Sequence, residues 1–225
     1  MGNLKFADLF AGLGGFHQAL EGLGHTCVFA SELNSGLADL YEKNFGIRPH
    51  GDIREAIDDV PPHDILCAGF PCQPFSKAGE QLGFDCPQWG DLFNYVLEIL
   101  DKQRPSYLLI ENVPNLLRHD RGRTWGKIKV RLEELGYEVD KKKLSPFMFG
   151  VPQVRERAII VGSRAGLRHF SWPEPTHQLD QVTIKSVLDE NPKEARPLGP
   201  RFIQYLETWQ SLIDALPIDE QLPSF

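Results

Sequence analysis

Cysteine is scarce in this chain: 4 in 225 residues, at positions 27, 67, 72 and 86. No two stand as a CxxC pair and no histidine recurs beside them at ligand spacing, which argues against a zinc site and against a disulfide framework. The thiols are therefore read as reduced. No uncharged apolar run is long enough to span a bilayer, so no membrane segment is expected. The N-terminus lacks the basic stretch and apolar core of an export signal. Phe6 stands where a myristoylation signal wants Ser or Thr. There is no internal repeat. A hydrophobic fraction of 41% and a charged fraction of 24% describe an ordinary globular protein.

The net charge of −7 by itself argues against a nucleic-acid binder. Its distribution argues the other way. Arg118, Arg121, Arg123, Lys127, Lys129 and Arg131 form one basic run, and Arg155, Arg157, Arg164 and Arg168 another. Local basic stripes can grip phosphates on an acidic protein. A third run, Lys141–Lys143, reads as a solvated face.

Apolar runs alternate with helical spacing along the chain. Strands are expected at Leu4–Phe10, Cys27–Ala30, Ile65–Ala68, Tyr107–Glu111, Val139–Leu144 and Ala158–Val161, with a short extended segment ending at Asp52. Helices are expected at Phe16–Leu23, near Leu37–Asn44, at Leu92–Leu100 and at Trp125–Leu135, the last stopped by Gly136. Such β-α alternation predicts a doubly wound, mostly parallel sheet. After Gly162 the chain turns Pro-rich, then Phe202–Leu216 reads as an amphipathic helix. Cys27 and Cys67 fall in apolar strands and read as core; Cys72 and Cys86 fall in a polar loop.

Chemistry collects at the carboxyl ends of these strands, where open α/β sheets hold their ligands. Gly69-Phe70-Pro71-Cys72-Gln73-Pro74-Phe75-Ser76 puts a thiol on a Gly/Pro-bounded turn after a strand, the position of a candidate nucleophile. Asp8-Leu9-Phe10-Ala11-Gly12-Leu13-Gly14-Gly15-Phe16 follows the first strand. Its glycines allow close approach to backbone and open a helix N-terminus, but their spacing is not GxGxxG, so an ordinary dinucleotide site is disfavoured. Glu32 ends the second strand, where an acid can bind ribose hydroxyls. Asp52 in Gly51-Asp52-Ile53 is either an acceptor for an exocyclic amine, with Ile53 against a purine, or a helix N-cap with Glu55 completing a capping box. Glu111-Asn112-Val113 ends a further strand with a carboxyl able to donate a hydrogen bond if protonated. In Gln153-Val154-Arg155-Glu156-Arg157 two guanidiniums two residues apart face one way in extended backbone, suited to a carbonyl oxygen or a phosphate.

In this order and with these gaps, the segments resemble the cytosine-5 DNA methyltransferases over about Lys5 to Gly162. The resemblance implies a Rossmann-like methyltransferase fold with S-adenosyl-L-methionine as cofactor. It implies Phe10, Gly12, Gly14, Gly15, Glu32, Leu33, Asp52, Ile53, Pro71 and Leu92 as cofactor-binding residues, and Cys72, Glu111, Arg155 and Arg157 as catalytic ones. Leu33 stands where some members carry an adenine-stacking aromatic, and Asp91 where they carry an uncharged residue. The implied partner is double-stranded DNA, the implied setting a bacterial or phage cytoplasm. Residues 1–162 would be the catalytic domain and 163–225 a linker and the start of the target-recognition region, with the later part supplied by a continuation or a complementing chain. Methylation of transfer RNA, or service as a split subunit or cofactor-binding module, stays open beside DNA methylation. Gln73–Gly90, with Gly79, Gly83 and Gly90, would be a lid over a base flipped out of the duplex, and Lys77 would meet phosphates.

Overall fold

The computed structural model describes residues 2–71 and 92–217. The chain divides into two compact units, Met1–Thr183 and Ile184–Phe225. The first holds a six-stranded sheet in the order β2-β1-β3-β4-β6-β5. Its strands are β1 (Lys5–Leu9), β2 (Thr26–Ser31), β3 (Ile65–Ala68), β4 (Tyr107–Asn112), β5 (Glu138–Leu144) and β6 (Arg157–Ser163). The first four pair in parallel. β6 runs antiparallel to both β4 and β5, so the sheet is mostly parallel with an antiparallel margin.

Strict alternation sends the two faces of the central strands to different partners. Ala7 and Leu9, Leu66 and Ala68, and Leu108 and Ile110 face one core, filled by α4 (Leu92–Gln103) and α5 (Arg123–Glu134) through Leu97, Leu100, Ile128 and Leu132. Phe6, Ile65 and Cys67 face a second, smaller core with α1 (Gly15–Gly22) and α2 (Ser35–Phe45), closed by Leu20 and Tyr41. Helix ends follow local chemistry. Asn34 caps α2 by accepting from the Leu37 amide at 3.1 Å, and Gly136, at φ +87°, turns the chain out of α5.

One expected element is not a strand of the sheet. The segment before Asp52 makes a single parallel bridge, Ser31 to His50, with the His50 amide donating to Ala30 and the Glu32 amide to the His50 carbonyl. Pro49 precedes it and has no N–H to continue a ladder. The chain then enters the four-residue helix α3 (Ile53–Ala56).

The second unit contains α6 (Pro200–Ala215), whose apolar positions Phe202, Leu206, Trp209 and Ile213 are exposed. Among the described residues no helix is long and apolar enough to cross a membrane.

Candidate active site

A cleft of about 590 Å³ opens at the carboxyl ends of β1, β2 and β3. Its walls are Phe10 after β1, Ser31 through Ser35 after β2, Gly51 through Arg54 at α3, Gly69 and Pro71 after β3, and Leu92 at the start of α4. Seven residues expected to bind a cofactor therefore come together there: Phe10, Glu32, Leu33, Asp52, Ile53, Pro71 and Leu92. Gly12, Gly14 and Gly15 are not among its lining residues. Gly12 donates its amide to Glu32 Oε2 at 2.8 Å. Gly14, at φ +82°, packs so closely on Phe45 and Tyr41 that a Cβ would lie 2.2 Å from a Phe45 ring carbon.

Glu32 is held by backbone on both sides, its other oxygen accepting from the Asn34 amide at 2.8 Å. Phe10 adopts φ +56°, a conformation that costs a side-chain-bearing residue about 1 kcal/mol or more and clusters at functional sites. Asp52 takes the N-cap position of α3, accepting from the Arg54 amide at 3.0 Å. The Arg54 side chain also grips it, from Nε at 3.0 and 2.9 Å and from Nη2 at 2.5 Å. These bonds hold the Asp52 carboxyl below its ordinary pKa. Ser31, Asn34, Ser35 and Arg54 are cleft residues that the sequence reading passed over, whereas Gly51 and Gly69 fell within its motifs. For Asn34-Ser35 the signal was there, an N-cap residue directly before a helical run.

The second cluster lies at the ends of β4 and β6. Arg157 Nε donates to Glu111 Oε1 at 2.6 Å. Burial pushes the Glu111 carboxyl above its ordinary pKa, although Arg157 and then Arg155 pull it down. Arg155 is exposed, and its backbone amide is fixed by Ser145 Oγ at 3.0 Å. Glu111 Oε2 lies 3.8 Å from the position a Cβ on Gly69 would take, so this cluster adjoins the wall of the cleft. Asn112 completes the connection: its side-chain amide donates to the Phe70 carbonyl at 3.1 Å, and its Oδ1 accepts from the Val113 amide at 2.9 Å. The turn leading to Cys72 is thereby tied to the end of β4.

Cys72, Cys86, Lys77, Asp91 and the expected lid Gln73–Gly90 lie outside the described residues. Within the α5 basic run, several cations have acidic partners close in sequence: Arg123 pairs with Asp120, Lys129 with Glu133 at 3.5 Å and Arg131 with Glu134 at 3.8 Å. Lys141 rests over the Trp125 ring, 4.9 Å from its centroid, and Lys143 pairs with Glu156 at 3.2 Å, in keeping with a surface role.

The C-5 cytosine-specific DNA methylase family matches residues 4–213. The chain belongs to that family. Among curated relatives it is 42% identical over 174 residues to the Type II methyltransferase M.MspI of Moraxella sp, covering 77% of this chain and 42% of that one. It is 43% identical over 175 residues to M.HhaI of Haemophilus parahaemolyticus (76% and 53%) and 45% over 195 residues to M.NgoBI of Neisseria gonorrhoeae (86% and 60%). The chain thus spans about half the length of the curated relatives it matches. Solved structures confirm the fold: an Entamoeba histolytica methyltransferase superposes with a TM-score of 0.69 at 19% identity, covering 90% of this chain and 65% of that one. The Dnmt2 methyltransferase of S. pombe gives 0.63 at 23%, covering 85% and 62%. The fold is thus the expected mostly parallel, Rossmann-like one, to which the structure adds the antiparallel margin of β6 and β5.

Proposed function

We propose that this methylase chain carries the cofactor-binding and cytosine-activating part of an enzyme that transfers a methyl group from S-adenosyl-L-methionine to carbon 5 of cytosine in double-stranded DNA. The observation that carries the reading is the Glu111–Arg157 pair beside Gly69, at the edge where the cleft opens. The cleft fits the cofactor: its volume lies in the range of small-molecule sites, and it combines a carboxylate at Glu32 with the apolar walls Phe10, Ile53 and Leu92. When bound, the cofactor supplies an electrophilic methyl group.

The protein's own part begins at Cys72, which is joined directly to the cleft residue Pro71. Its thiolate adds to carbon 6 of the base, forming the sulfur–carbon bond and moving the carbon 5–carbon 6 π pair onto carbon 5. A protonated Glu111 donates to the ring nitrogen as negative charge develops, and burial favours that proton. Arg155 and Arg157 hold the carbonyl oxygen or the adjoining backbone phosphate. After methylation the carbon 5 proton leaves, its electron pair restores the double bond, and the thiolate departs. The target must be flipped from the duplex to reach this edge. A complementing C-terminal segment belongs to the same proposal, supported by the chain's half-length coverage of its relatives.

The test is a duplex with 5-fluorocytosine at candidate target sites, offered together with S-adenosyl-L-methionine to the chain alone and to the chain mixed with a relative's C-terminal segment. Fluorine cannot leave as a proton, so an adduct surviving denaturing electrophoresis is expected. Cys72→Ser should yield none, whereas Cys86→Ser should still trap. Trapping that persists in Cys72→Ser and vanishes in Cys86→Ser reassigns the nucleophile. Trapping on an RNA hairpin in preference to the duplex overturns DNA as the substrate.

A further inference from the structure

The chain leading into β6 carries Arg155 with no packing to hold it. Gln153, Val154, Arg155 and Glu156 are all exposed, so no buried apolar side chain among them fixes their course. Hydrogen bonds take that part. The Gln153 carbonyl accepts from the Phe147 amide at 3.2 Å and from the Ser145 hydroxyl at 3.4 Å. The same hydroxyl oxygen accepts from the Arg155 amide at 3.0 Å. One side chain thus grips the segment at two points, on either side of Val154. Ser145 itself is a fixed point. It is 2% exposed, directly follows β5, and its carbonyl accepts from the Met148 amide at 3.0 Å.

We propose that Ser145 is a positioning residue for the methyl-transfer site: through the backbone of Arg155, its hydroxyl aims that guanidinium at the edge where Glu111 stands. The inference rests on the reading of Glu111 and the two arginines as the groups that activate the base. The arginines are placed by different means. Arg157 begins β6, pairs in register with Leu144 and donates to Glu111 directly. Arg155 lies ahead of the strand and acts on Glu111 through charge alone, an influence that changes with distance. Its position therefore depends on the hydroxyl. Because Arg155 is exposed, water can satisfy its amide once the hydroxyl is gone. Losing the hydroxyl costs position and leaves the fold standing.

The probe is the Glu111 carboxyl, followed by carbon-13 NMR through a pH titration of the chain alone. Among the described residues, Arg157 and Arg155 are the charged groups that act on it, both lowering its pKa against burial. Ser145→Ala should raise that pKa, because a guanidinium that swings away no longer favours the carboxylate. Ser145→Cys, close in size but a weak hydrogen-bonding group, should shift it in the same direction. Arg155→Gln should raise it too, and Ser145→Ala added to Arg155→Gln should raise it no further, since the hydroxyl acts through the arginine. Ser145→Thr keeps the hydroxyl, and the extended backbone there, φ −137° and ψ 144°, suits a β-branched residue; it should titrate as wild type. Thermal melts of each variant verify folding. A Glu111 titration unmoved by Ser145→Ala and Ser145→Cys overturns the role of Ser145. So does a shift that persists in full without Arg155, or a Thr variant that shifts as Ala does. In the 5-fluorocytosine assay Ser145→Ala should slow trapping by about tenfold, the scale of one charged hydrogen bond, with duplex affinity unchanged. Trapping at the wild-type rate beside a shifted Glu111 overturns the link from position to reaction. Absence of trapping by the folded wild type overturns the reading of the function, and the titration still decides what Ser145 holds.

Discussion

The two faces of one sheet are built on different chemistry. Toward α4 and α5 the interior is hydrocarbon: Leu66, Leu100, Leu108, Ile110, Ile128 and Leu132 are buried together without a charged group among them. Toward α1 and α2, directly under the Gly-rich turn, the interior carries Asp8, His17, Cys27, Tyr41 and Cys67. His17 Nδ1 and the Tyr41 hydroxyl lie 2.5 Å apart, and Cys27 Sγ donates to the Phe29 carbonyl at 3.3 Å. Asp8 sits beside Cys67 and Ala30 in register, 1% exposed, and neither of its oxygens has a hydrogen-bond partner. Burial raises its pKa to about 8, against a weaker pull from the His17 amide and with an added push from the Glu32 charge. Burial also lifts Cys27 to about 11, raises Tyr41 and Cys67, and lowers His17. Every one of these groups is thereby driven toward its neutral form. Polarity is tolerated beneath the turn because protons cancel its charge.

That contrast can be broken by mutation and pH. Leu100→Ala, on the hydrocarbon face, should cost about 2–5 kcal/mol, and urea melts should show the same loss at pH 5 and pH 8. Asp8→Asn should behave differently. The folded wild type keeps the Asp8 proton up to about pH 8, whereas the unfolded chain releases it near 3.8. Wild-type stability therefore falls as pH rises through that window, by up to about 1.4 kcal/mol per unit. The variant has no such proton to lose, so its stability relative to wild type should climb between pH 5 and pH 8, by up to about 4 kcal/mol. Parallel pH curves would show that Asp8 is already ionised in the fold. Gly14→Ala combines left-handed backbone strain with a collision on Phe45 and should cost about 2–4 kcal/mol, read by the shift in thermal midpoint. Tyr41→Phe leaves buried His17 without its hydroxyl partner and should cost about 1 kcal/mol. A neutral or stabilising result would mean that the hydrogen bond does no better than its desolvation.

The sheet was legible wherever a strand is buried on both faces. Ile65–Ala68 was read to the residue because four consecutive apolar side chains admit little else. α5 and its stop were legible from helical spacing and Gly136. The segment before Asp52 misled because an extended run of mixed residues resembles a strand until Pro49 is given its full weight. Strand order was not readable: β6 slips between β4 and β5 through long-range pairing that no local pattern encodes. Most of the cleft was foreseen through the motif resemblance, since the acid at the end of β2 and the Asp52-Ile53 pair sit where a doubly wound sheet gathers its loops. The Arg54 clamp was not foreseen. It depends on a rotamer choice two residues from Asp52, and a sequence records the arginine without recording where it reaches.

Glu32 spans the gap between two loops, with one oxygen on the Gly12 amide and the other on the Asn34 amide. It is a clasp before it is a contact. Filled or empty, the cleft depends on that clasp to keep the turns after β1 and β2 fastened together. A glutamate at the end of β2 is therefore a mark of architecture in its own right, joining Gly12 to Asn34 across the mouth of the cleft.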